Sequence, residues 1–302
     1  MPFHRSTVVA RVPATSANLG PGFDSLGLAL SLHDTVTARV AGTGVRVAVF
    51  GEGSGDLPDG ERHLVASTML ATFDRLGGRP DGFVLECENA IPQARGMGSS
   101  SAAIVAGVLL ARRLFDGGED LLDDAAVIRL AAEIEGHPDN VGPCVLGGIT
   151  ISWTRSGSGA RAVRLAGATS VVPVVYVPVQ HGYTAHARAV LPETVPLADA
   201  AFNAARTALL THALSSGAPE LLLDATQDRL HQDYRAAAMP ETAKLLASLR
   251  GNGIAAVLSG AGPTVLAIVP DDQRLVAAAE EHCPDGWWGR AMPVSTSGAR
   301  VS

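Results

Sequence analysis

Residues 82–115 constrain this chain more than any other stretch. Residues 82–88, Gly-Phe-Val-Leu-Glu-Cys-Glu, have the look of a strand. Residues 102–115 are rich in helix formers. Between them runs Ile91-Pro-Gln-Ala-Arg-Gly-Met-Gly-Ser-Ser-Ser-Ala-Ala-Ile104, so the whole reads strand, glycine-serine loop, helix. Gly96 and Gly98 let backbone N–H groups approach an anion with no Cβ in the way. Ser99, Ser100 and Ser101 add hydroxyls where unpaired amides and the helix dipole favour phosphate. Neither G-x-x-x-x-G-K-[ST] nor G-x-G-x-x-G occurs, so this is not one of the common nucleotide loops. A loop of this composition also serves as a plain helix cap, and the rest of the chain has to decide.

The 302 residues can bury a large core and predict two domains, with the division expected near residue 158, where residues 155–167 turn Gly-Ser-Arg rich. A composition 47% hydrophobic and 18% charged is that of a soluble protein. No unbroken apolar run long enough for a membrane span and no signal-peptide core are evident, so the expected setting is cytoplasmic. A net charge of −7 without a basic run argues against nucleic acid as a partner. Lys244 is the only lysine, so any phosphate must be met by backbone N–H groups, arginine and metal. Cys87, Cys144 and Cys283 lack metal or disulfide spacing and read as buried thiols.

Along the chain, strands are expected at residues 7–12, 25–33, 34–40, 45–50, 146–153, 253–259 and 264–269. Helices are expected at 63–76, 120–135, 197–215, 219–229 and 273–282, with another ending near Arg250. In 120–135, Ile128, Ala131, Ala132 and Glu135 share one face by their spacing. Glu133 lies off that face and is expected to pair with Arg129 in solvent. Glu135, on the apolar side, needs a partner. Histidines such as His137 and His181 read as structural.

Three Gly-rich loops stand out: 13–24, 92–102 and 259–264. Together they resemble the three signature motifs of the GHMP small-molecule kinases, and the likeness extends over residues 8–290. Met97 stands where leucine is usual. Within that superfamily the homoserine kinases give the nearest pattern. It is carried by Pro13-Ala-Thr-Ser-Ala-Asn-Leu-Gly-Pro-Gly-Phe-Asp24, Glu135-Gly-His-Pro-Asp-Asn-Val141, Thr184-Ala-His-Ala-Arg-Ala-Val-Leu-Pro192 and Asp228-Arg-Leu-His-Gln-Asp-Tyr-Arg235. Asp233 replaces a common proline. The resemblance implies an α+β, two-domain GHMP-kinase fold. Residues 1–158 would hold a left-handed β-α-β unit, and 159–302 a ferredoxin-like α/β sandwich, with the active site between them.

It also implies roles for residues. ATP would lie on Pro92, Gln93, Ala94, Arg95, Gly96, Met97, Gly98, Ser99, Ser100, Ser101 and Ala102, with Gly260 and Gly262 closing from the other half. Mg²⁺ would sit on Ser100 and Glu135, Glu133 remaining the alternative. Asn18, Asp24, Asn140, Thr184, Arg188 and Arg235 would line the site for L-homoserine, giving O-phospho-L-homoserine on the way to threonine. Asp24, Asn140, Ser100 and Glu135 carry the catalytic expectation. A planar guanidinium suits the carboxylate of a zwitterion. Asp24, Asn18 and Asn140 offer acceptors to its ammonium and hydroxyl. Several relatives in the superfamily use an aspartate as base where this chain presents Asn140. The proton would then pass to Asp24 or directly to the γ-phosphate, since a loose transition state needs no strong base. The rival readings are another GHMP kinase and a non-catalytic ligand sensor; the assembly stays open between monomer and homodimer.

Overall fold

A computed structural model describes residues 3–4, 6–167, 171–182 and 184–302, the side chains of 184–186 excepted. Two sheets organise it. The first has seven strands: β1 (Val8–Ala17), β2 (Leu26–Val40), β3 (Gly44–Gly51), β4 (Gly82–Asn89), β5 (Ile149–Arg155), β6 (Gly159–Arg164) and β11 (Arg300–Val301). Its order is β11-β1-β2-β4-β3, with β5 on the far end of β2 and β6 on β5. Residues 25–40, expected as two strands, give the single long β2 from Leu26; its pairing with β1 carries one register shift, at Pro13/Ala14. That length lets β2 pair with β4 at one end and β5 at the other.

β3 and β4 are parallel, joined through α1 (Leu64–Leu76), which buries Val65, Met69, Phe73 and Leu76. After β4 come the Gly-Ser loop and α2 (Ser99–Leu114). α2 is hydrophobic nearly all round and packs on β1, α1 and α4. The helix expected at 120–135 is two: α3 (Gly118–Leu121) and α4 (Asp124–Glu135). Asp123 interrupts it, because its carboxylate accepts the Ala126 amide and caps α4 instead. α5 (Val141–Leu146) follows and leads into β5.

The second sheet comprises β7 (Val171–Val177), β8 (Ala256–Leu258), β9 (Val265–Pro270) and β10 (Trp288–Ala291), all neighbours antiparallel, in the order β10-β7-β9-β8. Between β7 and β8 lie α6 (Thr184–Ala189), α7 (Leu197–Ser216), α8 (Leu222–Ala225), α9 (Gln232–Ala236) and α10 (Pro240–Gly251), and α11 (Gln273–Glu280) bridges β9 to β10. Helices thus sit in both crossovers of an antiparallel sheet whose strands, counted within it, run 4-1-3-2. That is the ferredoxin-like arrangement. The helix expected at 219–229 stops at Ala225. Asp228 captures the amides of Leu230, His231 and Gln232, and so turns the chain where a helix would continue.

A cut after residue 158 would split the β5–β6 hairpin. Residues 159–164 belong to the first sheet, and the C-terminal tail returns to it through β11 and Ser295. The Gly-Ser-Arg composition there marks an exposed edge hairpin rather than a linker, and the chain passes to the second sheet between Arg164 and Val171.

Candidate active site

The Gly-Ser loop lies where the two sheets meet. Gly98 is the N-cap of α2 in the left-handed region, φ +70°, and among the described residues no side chain caps the helix. The first intrahelical bond is Ala102 N–H to Gly98 C=O, so the amides ahead of it are left to the cavity. That cavity measures about 340 Å³. Gln93, Ala94, Arg95, Gly96, Gly98, Ser99 and Ser100 border it, with Gly260 and Ala261 from the second half. Pro92, Met97, Ser101, Ala102 and Gly262 do not. Met97 and Ala102 are core residues, and Gly262 is packed against Met239.

The glycines are required for more than anion access. A Cβ on Gly96 would lie 2.3 Å from the Ser259 carbonyl oxygen, and one on Gly98 would lie 1.9 Å from Thr15 Oγ1. Gly96 therefore serves the contact between the loops at least as much as any ligand. Arg95, though it borders the cavity, is held by main-chain acceptors, donating to the carbonyls of Gln93, Pro178 and Val179.

The end of α4 supplies the carboxylate beside this loop. Both Ser100 Oγ and Ser101 Oγ donate to Glu135 Oε1, each at 2.6 Å. Glu133 points away, 60% exposed, and pairs with Arg75 on α1 at 2.6 Å rather than with Arg129. Arg129 instead lies 3.8 Å from Asp123. Gly136 ends the helix at φ +90° and turns the chain back along the cavity wall. There His137 Nδ1 lies 2.7 Å from Asp139 Oδ1, with Nε2 4.0 Å from Glu135 Oε1. The hydrogen bond to Asp139 raises the His137 pKa despite burial. So His137, expected as a purely structural residue, stands in the cavity wall; His181 stays outside it, exposed. Asn140 follows, its Oδ1 accepting from Thr15 Oγ1 at 2.8 Å.

The third wall carries opposite charges. Asn18 and Asp24 both adopt positive φ, 70° and 55°, a conformation that Asn and Asp tolerate better than most. Asn18 is buried; its Oδ1 accepts the Asp24 amide and its Nδ2 donates to Gly260 C=O. Arg188 donates to both oxygens of Asp24, Nη2 to Oδ1 at 2.7 Å and Nη1 to Oδ2 at 3.2 Å. That pairing raises the Arg188 pKa further. Arg235, 2% exposed, donates to Ala187 C=O, Gly260 C=O and His231 Nδ1, and burial lowers its pKa. Thr184 begins α6, but its side chain lies outside the described residues.

An uncapped helix N-terminus, a carboxylate held by two hydroxyls, and a doubly charged pocket share one cavity. Comparison with known proteins agrees on what such a chain is. The family model for the GHMP kinases N terminal domain matches residues 63–148, and that for the GHMP kinases C terminal matches residues 205–285. The chain belongs to the GHMP kinases. It is 57% identical to the homoserine kinase of Streptomyces coelicolor, over 99% of this chain and 96% of that one. It is 53% identical to the homoserine kinase of Streptomyces avermitilis, over 99% and 97%. The crystal structure of homoserine kinase from Cytophaga hutchinsonii superposes with a TM-score of 0.84 at 25% identity, covering 99% of both chains.

As a GHMP kinase it uses ATP. Among the described residues no group of three or more His, Cys, Asp and Glu side chains is placed to hold a metal ion. The oxygens of Ser100 and Glu135 are hard donors of the kind Mg²⁺ takes alongside phosphate and water. Sequence reasoning passed over His137 and Asp139, which border the cavity, and Thr15, which is buried behind Asn140. All three stand inside quoted motifs; His137 and Asp139 bond each other two positions apart, whereas Thr15 reaches Asn140 across 125 positions.

Proposed function

We propose that this kinase transfers the ATP γ-phosphoryl group to the side-chain hydroxyl of L-homoserine, giving O-phospho-L-homoserine in threonine biosynthesis. The observation that carries the reading is the Asp24–Arg188 pair, with Arg235 beside it, in the same cavity as the α2 N-terminus. An α-amino acid is a zwitterion. Its carboxylate fits the two guanidinium groups and its ammonium fits Asp24, so each charge of the internal pair finds a replacement partner when substrate enters. A mevalonate-type acid that drew Arg188 away would leave Asp24 without a cation, and a neutral sugar would leave Arg188 on Asp24 and Arg235 without an anion.

In the transfer, the chain positions and neutralises. The amides of the first turn of α2 hold phosphate oxygens. Mg²⁺ at Ser100 and Glu135, when bound, supplies charge neutralisation for the phosphates. Asn140 has its carbonyl oxygen engaged by Thr15, so its NH₂ is the edge left to the reactants; it can hold the hydroxyl oxygen but takes no proton. Asp139 is committed to His137 and to the Asn140 amide, and Asp24 to cations. We therefore assign the hydroxyl proton to a γ-phosphate oxygen, a route that a loose transition state allows.

The reaction belongs in the cytoplasm, and no helix among the described residues is long and apolar enough to cross a membrane. A coupled ADP-release assay with homoserine, serine, mevalonate and galactose tests the reading. Homoserine is expected to give by far the highest kcat/KM, and turnover of mevalonate or galactose in its place overturns it.

A further inference from the structure

One buried histidine has no part in the chemistry above, yet it grips an arginine that does. His231, at the start of α9, is fully buried. Its Nε2 lies 2.8 Å from the Gly20 carbonyl oxygen, and its Nδ1 lies 2.9 Å from Arg235 Nη1. A guanidinium has only donors, so Nδ1 must carry no proton, and the proton on Nε2 is the one donated to Gly20. Only the neutral Nε2–H tautomer satisfies both contacts.

The same ring stacks on Phe23, centroids 5.2 Å apart and planes at 28°. The guanidinium carbons of Arg235 and Arg188 lie 5.6 and 5.7 Å from the Phe23 centroid. Arg235 is also fixed through Nε to Ala187 and through Nη1 to Gly260. Its Nη2 makes no hydrogen bond to a described residue, and Arg235 borders the cavity.

We propose that His231 is a positioning residue for substrate recognition: as the neutral Nε2–H tautomer it ties Arg235 to the Gly20 turn, so that the Nη2 edge faces the substrate carboxylate. This rests on the reading of Arg235 as a carboxylate contact. Protonating Nδ1 removes the acceptor and sets a second cation against Arg235. The charged groups facing the ring are Asp228, 3.7 Å from Nε2, and Asp24, which favour protonation, and Arg235, which opposes it. Burial is the largest influence and holds the ring neutral at ordinary pH. The grip on the carboxylate therefore weakens only in acid.

Three variants separate the two ring nitrogens. His231→Ala loses both contacts. His231→Asn keeps an acceptor near the Nδ1 position, and His231→Gln keeps a donor near the Nε2 position but leaves Arg235 Nη1 without its acceptor. His231→Ala and His231→Gln are expected to raise the homoserine KM about tenfold, the loss of one charge-assisted hydrogen bond. His231→Asn is expected to recover most of that loss. The ATP KM should stay within about twofold, and homoserinol, which lacks the carboxylate, should be nearly indifferent to all three.

Equal effects of Asn and Gln, or parallel rises in both KM values, overturn the proposal in favour of a merely structural role. If the variants do not fold, the wild type still decides. The ratio of homoserine to homoserinol KM should climb as pH falls below the ordinary imidazole range. Because Asp24 meets the ammonium of both compounds, a ratio flat with pH overturns the proposal. Arg235→Ala tests the underlying reading separately: if it leaves the homoserine KM unchanged, the carboxylate assignment fails whatever His231 does.

Discussion

Replacing Gly98 with alanine tests how the phosphate loop is held. Two costs follow from its geometry. Alanine at φ +70° sits in the left-handed region, worth about 1–3 kcal/mol. The new Cβ would stand 1.9 Å from Thr15 Oγ1, so the threonine must rotate away and break its 2.8 Å bond to Asn140, a further loss of about 1 kcal/mol. Gly98→Ala should therefore destabilise the protein by about 2–4 kcal/mol. Thr15→Ala alone should cost about 1 kcal/mol, since it loses only the hydrogen bond. In the double variant the clash is gone and that bond is already lost, so Thr15→Ala should cost nothing further in the Gly98→Ala background. Urea unfolding followed by tryptophan fluorescence gives the four stabilities of this double-mutant cycle. Turnover should fall by similar factors in all three variants, because each leaves Asn140 without its hydroxyl partner. Strictly additive destabilisation, or a Gly98→Ala protein within about 0.5 kcal/mol of wild type, would refute the reasoning.

Other perturbations read the remaining parts of the site. Glu135→Gln should cripple turnover, whereas Glu133→Gln should cost little, its pair with Arg75 being 60% exposed on both sides and worth at most about 1 kcal/mol; the opposite ranking in an ADP-release assay would transfer the metal role to Glu133. Arg188→Ala should raise the homoserine KM by roughly 10- to 100-fold and the ATP KM little; equal losses toward homoserine and homoserinol would show that Arg188 does not read the carboxylate. Burial raises the Asp34 pKa from 3.8 to about 6, so its ionised form is disfavoured by folding. Stability is full below the unfolded pKa and falls as pH rises from 3.8 to about 6, a span of about 2 units or roughly 3 kcal/mol. Asp34→Asn keeps an oxygen for the Ala90 and Ile91 amides, and so should gain on wild type at pH 8 and lose that advantage near pH 4; equal urea midpoints at pH 8 would contradict this.

Local periodicity carried some of this a long way. The 3.6-residue repeat of α4 put Glu135 on the face toward α2 and Glu133 in solvent, and the structure has them so. The same reasoning missed the partner of Glu133, because Arg75 is 58 residues away on α1 while Arg129 is one turn away. Helix ends decided by side-chain capture, at Asp123 and Asp228, were equally hard to read. Nothing in an Asp residue announces that it will accept three amides of its own turn. Residues 155–167 misled by composition: an exposed hairpin edge can be as rich in Gly, Ser and Arg as a linker. The likeness to the GHMP kinases grouped Asn18, Asp24, Asn140, Arg188 and Arg235, but it could not say that Asp24 and Arg188 bond each other, nor that His231 stands behind Arg235.

The contacts that bring donor and acceptor loops into register all end on main-chain carbonyls, two of the five from main-chain amides, which is why side-chain types reveal them poorly. Gly260 N–H donates to Ala17 C=O, and Gly260 C=O accepts from Asn18 and Arg235. Ser259 Oγ reaches Gly96 C=O, and Thr264 N–H reaches Arg95 C=O. The three Gly-rich loops thus meet at one point: 13–24 carrying Asn18 and Asp24, 92–102 carrying the free amides at the start of α2, and 259–264 bonded to both. Phosphoryl transfer asks that nucleophile and phosphorus be held within a few tenths of an ångström of a productive approach. Backbone groups have no rotamers to lose, so a register set by them holds that distance at lower entropic cost than long side chains would. In the proposed reaction, side chains that are long and charged, Arg188 above all, would then exchange partners as substrate enters, while the frame that aims the reactants stays as folded.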